Sequence, residues 1–441
     1  MTQATDKPRG SQIDSPEDKE VTMRKMKRMF SLITAATVIA GMAAIPAQAA
    51  DVKITIFNSK MEIQSQLEEM AAQYSAEKGV DVEVYYSSDT VAAHMSTRYA
   101  SNEPYTLSMV DAKDIYSLAP DHAVDLSDQD WVKDTTQAID IDGVVYGFPV
   151  CVEARGIIYN KTAIENATGE EFNPEDYATR EAFEELIQKL KDAGMETPTG
   201  VMKEDWSLAA HYLAEVYETR DDVAGFISGL HDGSADLMAD ERFTDLMDTF
   251  DILKANNYAA SSPISAVRED TEMMLADGDI AFLFGGNWDW SVINEFDPAG
   301  EMGMMPIPQA DDTYNKKLVG GGSKYFFIDS SDNTSDEQRA AAKDFLNWLV
   351  YDEEGQDFLV NTCALVPAYS NITLEVTDPL GKSVKAFADA DALVANYNYL
   401  PDDHYAKCGA SFQEYLADQT DRAGFADSIT SYWKATQPVE G

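Results

Sequence analysis

Hydrophobic and polar positions first fall into a regular pattern at Val52. Val52, Ile54 and Ile56 alternate with Lys53 and Thr55, the period of two expected of a strand with one buried face, and the run stops at Phe57-Asn58-Ser59-Lys60. Ile63, Leu67, Met70, Ala71 and Tyr74 then follow helical spacing as far as Gly79, and Val82 to Tyr86 reads as a second strand. Strand, helix and strand in this order predict a right-handed βαβ unit in a mostly parallel sheet. The loop after the first strand would lie at the carboxyl end of that sheet, where open α/β sheets place their ligands. Lys60 and Glu62 in this loop are therefore candidate binding residues, although a Glu at a helix start also serves as ordinary capping chemistry.

Farther along, Phe183, Leu186, Ile187 and Leu190 form an apolar stripe closed by Gly194. Ser335-Asp336-Glu337-Gln338 is a capping box leading into Ala342, Phe345, Leu346 and Leu349. Both patterns predict scaffold helices. Two other stretches break the pattern. Tyr146 to Lys161, YGFPVCVEARGIIYNK, sets Glu153 and Arg155 inside a run that otherwise reads as buried strand. Such charges need a compensating partner. On an extended chain Val152, Ala154 and Gly156 share one face, and Cys151, Glu153 and Arg155 share the other. The pair reads either as a structural Glu–Arg contact or as a hydrogen-bonding surface. In Phe282 to Ser291, FLFGGNWDWS, an apolar strand runs into two glycines and two tryptophans. Glycines permit a sharp turn, and a Trp just beyond one serves as a core residue or as a flat platform for the C–H face of a sugar ring.

The 441 residues suit two lobes better than one core. A formal net charge of -45 excludes nucleic acid and anionic membrane surfaces as expected partners, because both need clustered Lys and Arg. Arg24, Lys25, Lys27 and Arg28 precede an apolar run from Met29 to Ile45 and an Ala47-Gln48-Ala49 cleavage pattern, so residues 1–49 read as an export signal region, with Met1 or Met23 as the start. Three cysteines, Cys151, Cys363 and Cys408, leave at least one unpaired, with a Cys363–Cys408 bridge conceivable. Asp402, Asp403, His404 and Cys408 match no zinc spacing and read as loop residues. Asp140-Ile141-Asp142-Gly143 lacks the later ligands of a calcium loop and reads as a turn. Asn160-Lys161-Thr162 and Asn371-Ile372-Thr373 match a glycosylation pattern that arises often by chance. Neither a metal nor a cofactor is expected.

Pro149, Val152, Glu153, Ala154 and Ile158-Tyr159-Asn160-Lys161 match a PxxVEAxxxIYNK segment, and Gly286-Asn287-Trp288-Asp289-Trp290-Ser291 matches a G-x-W-x-W-S turn. Ser59-Lys60 stands where an acidic-Lys pair is usual, and Asp277-Gly278-Asp279-Ile280-Ala281 leads into the Trp turn. In motifs, order and spacing the chain resembles the carbohydrate-binding proteins of ABC importers, the maltose-binding-protein-like extracellular solute-binding family. The resemblance implies an α/β, two-lobed periplasmic-binding-protein-like fold of type II, with hinge-linked lobes and a ligand cleft. By analogy one lobe takes residues 51–151 plus 321–366, and the other takes 152–320 plus 367–441.

The resemblance also implies sugar contacts from Lys60, Glu153 and Trp288, and a looser one from Asp111 beside Ala112-Lys113. The family's aromatic contact in the second lobe has no clear match, and Trp206 or Glu204 is the candidate substitute. Tyr397, Tyr399 and Tyr405 stand where maltodextrin binders place further aromatics, with Tyr399 the chosen candidate. Arg155 replaces a small or apolar residue, so it is either the cationic neighbour of Glu153 or a selector of an acidic or otherwise polar sugar. The function implied is capture of a mono- or oligosaccharide outside the membrane by a monomer that delivers it to ABC permease subunits, with no bond broken. A secreted glycoside hydrolase or lyase is the alternative, since it too needs tryptophans and carboxylates. A metal or small-anion binder on the same fold is disfavoured by five scattered His residues and a negative surface.

Overall fold

The computed structural model describes residues 52–298, 300–310 and 313–436. Its twelve strands are β1 Lys53–Asn58, β2 Asp81–Tyr86, β3 Leu107–Asp111, β4 Ile139–Ile141, β5 Val144–Pro149, β6 Val152–Asn160, β7 Thr199–Gly200, β8 Phe282–Gly286, β9 Met302–Met305, β10 Leu318–Gly322, β11 Lys324–Ile328 and β12 Leu393–Val394. They form two sheets. The first runs β2-β1-β3-β11-β5-β4, and the second runs β12-β10-β6-β8-β7 with β9 also paired to β6. The opening alternation forms β1, the helix Gln64–Lys78 follows, and β2 lies parallel to β1 with Ile54 opposite Val82 and Asn58 opposite Tyr86. Gly79 ends that helix at φ +71°, a left-handed conformation that costs glycine little.

The chain passes between the two sheets three times, and two of these crossings lie side by side. β5 ends at Pro149 and β6 begins at Val152, while β10 ends at Gly322 and β11 begins at Lys324. The crossings bind each other: Val150 N donates to Lys324 O at 2.8 Å, and Ser323 N donates to Cys151 O at 3.3 Å. Val152 N also donates to Val366 O at 2.9 Å. An apolar core runs through this junction, joining Ile54, Leu67 and Phe345 on one side to Val150, Val152, Ala154 and Leu318. A second core gathers Phe183, Leu186, Tyr212, Phe250 and Phe412 around the second sheet. The stripe and the capping box become the helices Arg180–Asp192 and Asp336–Tyr351, the latter started by Ser335 accepting from Gln338 N.

Several expectations of detail change. All three cysteines are free and buried, and Cys363 and Cys408 belong to different cores, so the conceivable bridge between them is absent. His404 and Cys408 are buried residues of the helix His404–Leu416, not of a loop, because their apolar surroundings at Tyr217 and Trp433 draw them inward. Asn160 is 1% exposed and caps a helix, accepting from Ala163 N and donating to Leu275 O, which removes it as a glycan acceptor. The turn expected at Asp140 to Gly143 is present: Asp142 and Gly143, at φ +54° and +84°, join β4 to β5. The export signal expected at residues 1–49 lies outside the described residues. Among the described residues no helix is long and apolar enough to cross a membrane.

Candidate ligand site

Lys60 leaves the end of β1 in a conformation held by its neighbour. Asn58 Oδ1 accepts from Lys60 N at 2.8 Å, and Asn58 Nδ2 donates to Lys60 O at 2.9 Å. The side chain, 2% exposed, reaches Glu153 Oε1 at 2.5 Å and Glu62 Oε1 at 2.7 Å. Burial alone would push the ammonium down, but facing Glu153 and Glu62 it stays well above the usual lysine range. Burial pushes the Glu62 carboxyl up, yet the Lys60 charge and hydrogen bond outweigh it and bring the pKa down to about 2. Glu62 thus acts as a partner of Lys60, and no side-chain cap is made at that helix start.

Glu153 stands one residue past the first crossing, and Ser323 occupies the second. Ser323 Oγ donates to Glu153 Oε2 at 2.5 Å and lies 3.4 Å from Cys151 Sγ. Lys324 Nζ reaches Asp111 Oδ1 at 2.5 Å and Ser59 Oγ at 3.3 Å. Lys60, Glu62, Asp111 and Glu153 therefore meet at the junction of the sheets. Ser323 and Lys324 were not singled out from the sequence.

Arg155 does not pair with Glu153. Its guanidinium binds Glu218, lies 3.5 Å from Glu215 Oε1 and donates to Asn396 Oδ1 at 2.8 Å. Glu218 Oε1 also accepts from Tyr397 N at 2.8 Å. Lys60 already holds Glu153, and the helical segment carrying Glu215 and Glu218 brings two carboxylates to Arg155, so the expectation of Arg155 as the cationic neighbour of Glu153 is corrected. Burial pushes the Glu215 carboxyl up, Arg155 opposes and Glu218 adds to the rise, leaving it at about 8.

The aromatic side of the site begins with a π-helical stretch, Trp206–Leu213. Its wider turn brings residues five apart into line. Trp206 and His211 accordingly pack at 5.3 Å between ring centroids, and His211 lies 4.8 Å from Trp288. The Arg268 guanidinium sits 5.4 Å from the Trp206 ring and binds Asp289 Oδ1 at 2.5 Å. Trp288 and Trp206 are partly exposed and join neither large apolar core, whereas Trp290 packs against one. Burial, reinforced by the charges of Arg155, Lys324 and Arg268, holds the His211 imidazole well below the usual histidine range. Its Nδ1 is buried without a hydrogen-bond partner among the described residues. A neutral ring with an unused nitrogen between two indoles has the chemistry to accept or donate one hydrogen bond to a hydroxyl.

The glycines of the turn set Trp288. A Cβ at Gly286 would stand 2.2 Å from the Trp288 ring, and one at Gly285 would stand 2.1 Å from Asp289 Oδ2. Asp289 Oδ2 accepts from Gly286 N at 2.9 Å, and Asn287 Oδ1 accepts from Ala154 N at 3.0 Å, tying the turn to β6.

A family profile described as bacterial extracellular solute-binding protein matches residues 69–388. The chain belongs to that family. Among solved structures, the solute-binding protein RafE in complex with raffinose aligns at 20% identity and a TM-score of 0.73, covering 87% of this chain and 99% of that one. A sugar transporter from Bacillus licheniformis in complex with stachyose aligns at 18% identity and 0.67, covering 87% and 99%. An ABC-transporter binding protein from Bifidobacterium animalis in complex with mannobiose gives 18% and 0.61, with 87% and 94% covered. No curated protein matches the chain. At these identities the likeness establishes the two-lobed fold.

In this solute-binding protein Tyr399 is carried by the segment that follows β12. Its ring lies 5.0 Å from Tyr116, and nearby Asp402 Oδ1 is 3.3 Å from Lys113 Nζ, so the segment after β12 touches the helix that follows β3. Two surface concavities of about 800 and 690 Å³ lie elsewhere, one lined by residues such as Arg180, Arg242 and Asp248, the other by Asp251, Lys254 and Arg422. Both are rimmed by partly exposed ion pairs, and neither includes a residue of the junction cluster or the tryptophan pair. Among the described residues no group of three His, Cys, Asp or Glu side chains is placed to hold a metal ion.

Proposed function

We propose that this protein binds a mono- or oligosaccharide outside the cell membrane and passes it to the permease subunits of an ABC transporter. The observation that carries the reading is the Trp206–His211–Trp288 group: flat aromatic faces stand outside the large cores beside a buried nitrogen without a partner. Aromatic faces stack on sugar C–H groups, and charged or amide side chains bond the hydroxyls. The sugars bound by the three structural relatives point the same way. Glu218 and Asn396 engage Arg155, which favours an uncharged sugar over an acidic one.

The proposed binding residues are Lys60, Glu62, Asp111, Glu153, Arg155, Trp206, Trp288 and Tyr399. The proposed lobes are residues 51–151 plus 321–366 and residues 152–320 plus 367–441, supported by the distribution of strands between the two sheets. A sugar that touches both lobes binds the closed arrangement better than the open one and shifts the population toward it. The protein works as an exported monomer and breaks no bond. Thermal unfolding in the presence of raffinose, stachyose, mannobiose and a wider neutral glycan panel tests the reading, because a ligand specific for the folded state raises Tm. A rise with at least one glycan, with no new reducing ends on incubation, is expected. No rise with any glycan overturns capture, and release of reducing ends favours the hydrolase alternative.

A further inference from the structure

Large apolar side chains are seldom left exposed in clusters, and a contiguous patch marks a contact surface. Of the exposed large apolar residues, Met61, Tyr85 and Tyr86 stand together at the carboxyl ends of β1 and β2, at 57%, 39% and 41% exposure. Met61 lies in sequence between Lys60 and Glu62, and Tyr86 is paired in register with Asn58, the residue that clamps the Lys60 backbone. The Tyr86 hydroxyl donates to Met61 Sδ at 3.4 Å, so the phenol ring and the thioether form one surface. Tyr85 points to the other face of the strand, where it packs on Tyr105 at 5.3 Å and its hydroxyl binds Glu83. It anchors the strand end and leaves Tyr86 and Met61 as the free pair. Together they continue the ligand end of the first sheet outward from the Lys60–Glu62 ion pair.

We propose that Met61 and Tyr86 form an outer subsite that receives one further sugar unit of an uncharged oligosaccharide whose inner units occupy the site at Lys60, Glu153 and Trp288. This rests on the carbohydrate reading above and narrows it from any sugar to chains long enough to reach the rim. A tyrosine ring with a neighbouring thioether offers an apolar face to sugar C–H groups, while the hydroxyl keeps the rim wet. No carboxylate or ammonium belongs to the pair, so the subsite adds affinity for chain length without demanding charge.

The test is calorimetric titration with two series, sucrose–raffinose–stachyose and mannobiose–mannotriose–mannotetraose, on wild type, a Met61→Ala/Tyr86→Ala double variant and Tyr86→Trp. In a series that binds, wild-type affinity rises by about three- to tenfold at one added unit. The double variant loses that increment and keeps the affinity of the shorter member within about twofold, and Tyr86→Trp retains the increment. An increment that survives in the double variant overturns the subsite, as does an equal loss for every chain length. A wild type that binds sugars with no dependence on length overturns the subsite and leaves the carbohydrate reading standing. A wild type that binds neither these nor any other glycan overturns both. Unchanged binding with impaired uptake in cells reassigns the patch to the permease and also overturns the subsite.

Discussion

The Lys60 ammonium lies 2.5 Å from Oε1 of Glu153, fastening the end of the first strand of one sheet to the second residue of the strand that enters the other. Both groups are buried, at 2% and 6% exposure. Removing one partner of such a pair leaves a buried charge and costs about 3–5 kcal/mol, far more than the net worth of the pair. Lys60→Met strands both Glu153 and Glu62, whereas Glu153→Gln leaves Lys60 with Glu62. Urea unfolding is expected to show the larger loss for Lys60→Met. The Lys60→Met/Glu153→Leu double variant is expected to recover part of it.

Trp288 owes its placement to Gly286. The backbone there is extended, at φ -140°, so an alanine is not strained by conformation, but its Cβ would meet the indole at 2.2 Å. Gly286→Ala is expected to keep the fold and move the indole. Tryptophan emission should shift, and sugar affinity should fall by about tenfold, equivalent to about 1.4 kcal/mol.

Glu215 makes stability depend on pH. Its folded pKa of about 8 lies above the ordinary value of 4.5, chiefly through burial, so the folded state binds the extra proton. The contribution is fully present below the unfolded pKa and is lost as pH rises through about 8. The slope within that window reaches at most about 1.4 kcal/mol per pH unit. Glu215→Gln imitates the protonated acid, so its Tm relative to wild type is expected to climb between pH 5 and about pH 8. A constant difference across that range contradicts the assignment.

Lys113 and Asp402 join the helix after β3 to the segment after β12 through side chains 27% and 62% exposed. Solvent screens such a pair, which contributes no more than about 1 kcal/mol. Asp402→Asn is expected to weaken sugar binding by less than about fivefold. The difference from wild type should vanish near 0.5 M salt, roughly where charges this exposed no longer interact. Stopped-flow titration at low and high salt measures it.

Much of the scaffold was legible because its signals are local. The alternation at Val52 to Ile56, the glycine after the first helix and the Ser335 capping box each act within a few residues, and each became the element expected. The crossing at Tyr146 to Lys161 was legible as a place where charge sits in an apolar run. Its partners were not, because Lys60 and Glu153 are 93 residues apart and no local pattern records which distant residue answers a buried charge. HYLAEVYE, residues 211–218, carries the same signal, with two acids, Glu215 and Glu218, in another apolar run. His211 escaped for a different reason: a spacing of five from Trp206 has meaning only in a π-helical turn, and the ordinary helical period hides it.

On the proposed function, the tryptophans and the buried charges at the junction bind one carbohydrate. Isothermal titration of the most stabilising glycan against wild type, Trp288→Ala and Glu153→Gln, each first shown to be folded, tests it most directly. Measurable binding to wild type and a loss of at least about tenfold, or about 1.4 kcal/mol, in each variant are expected. Equal affinity in all three proteins would contradict it.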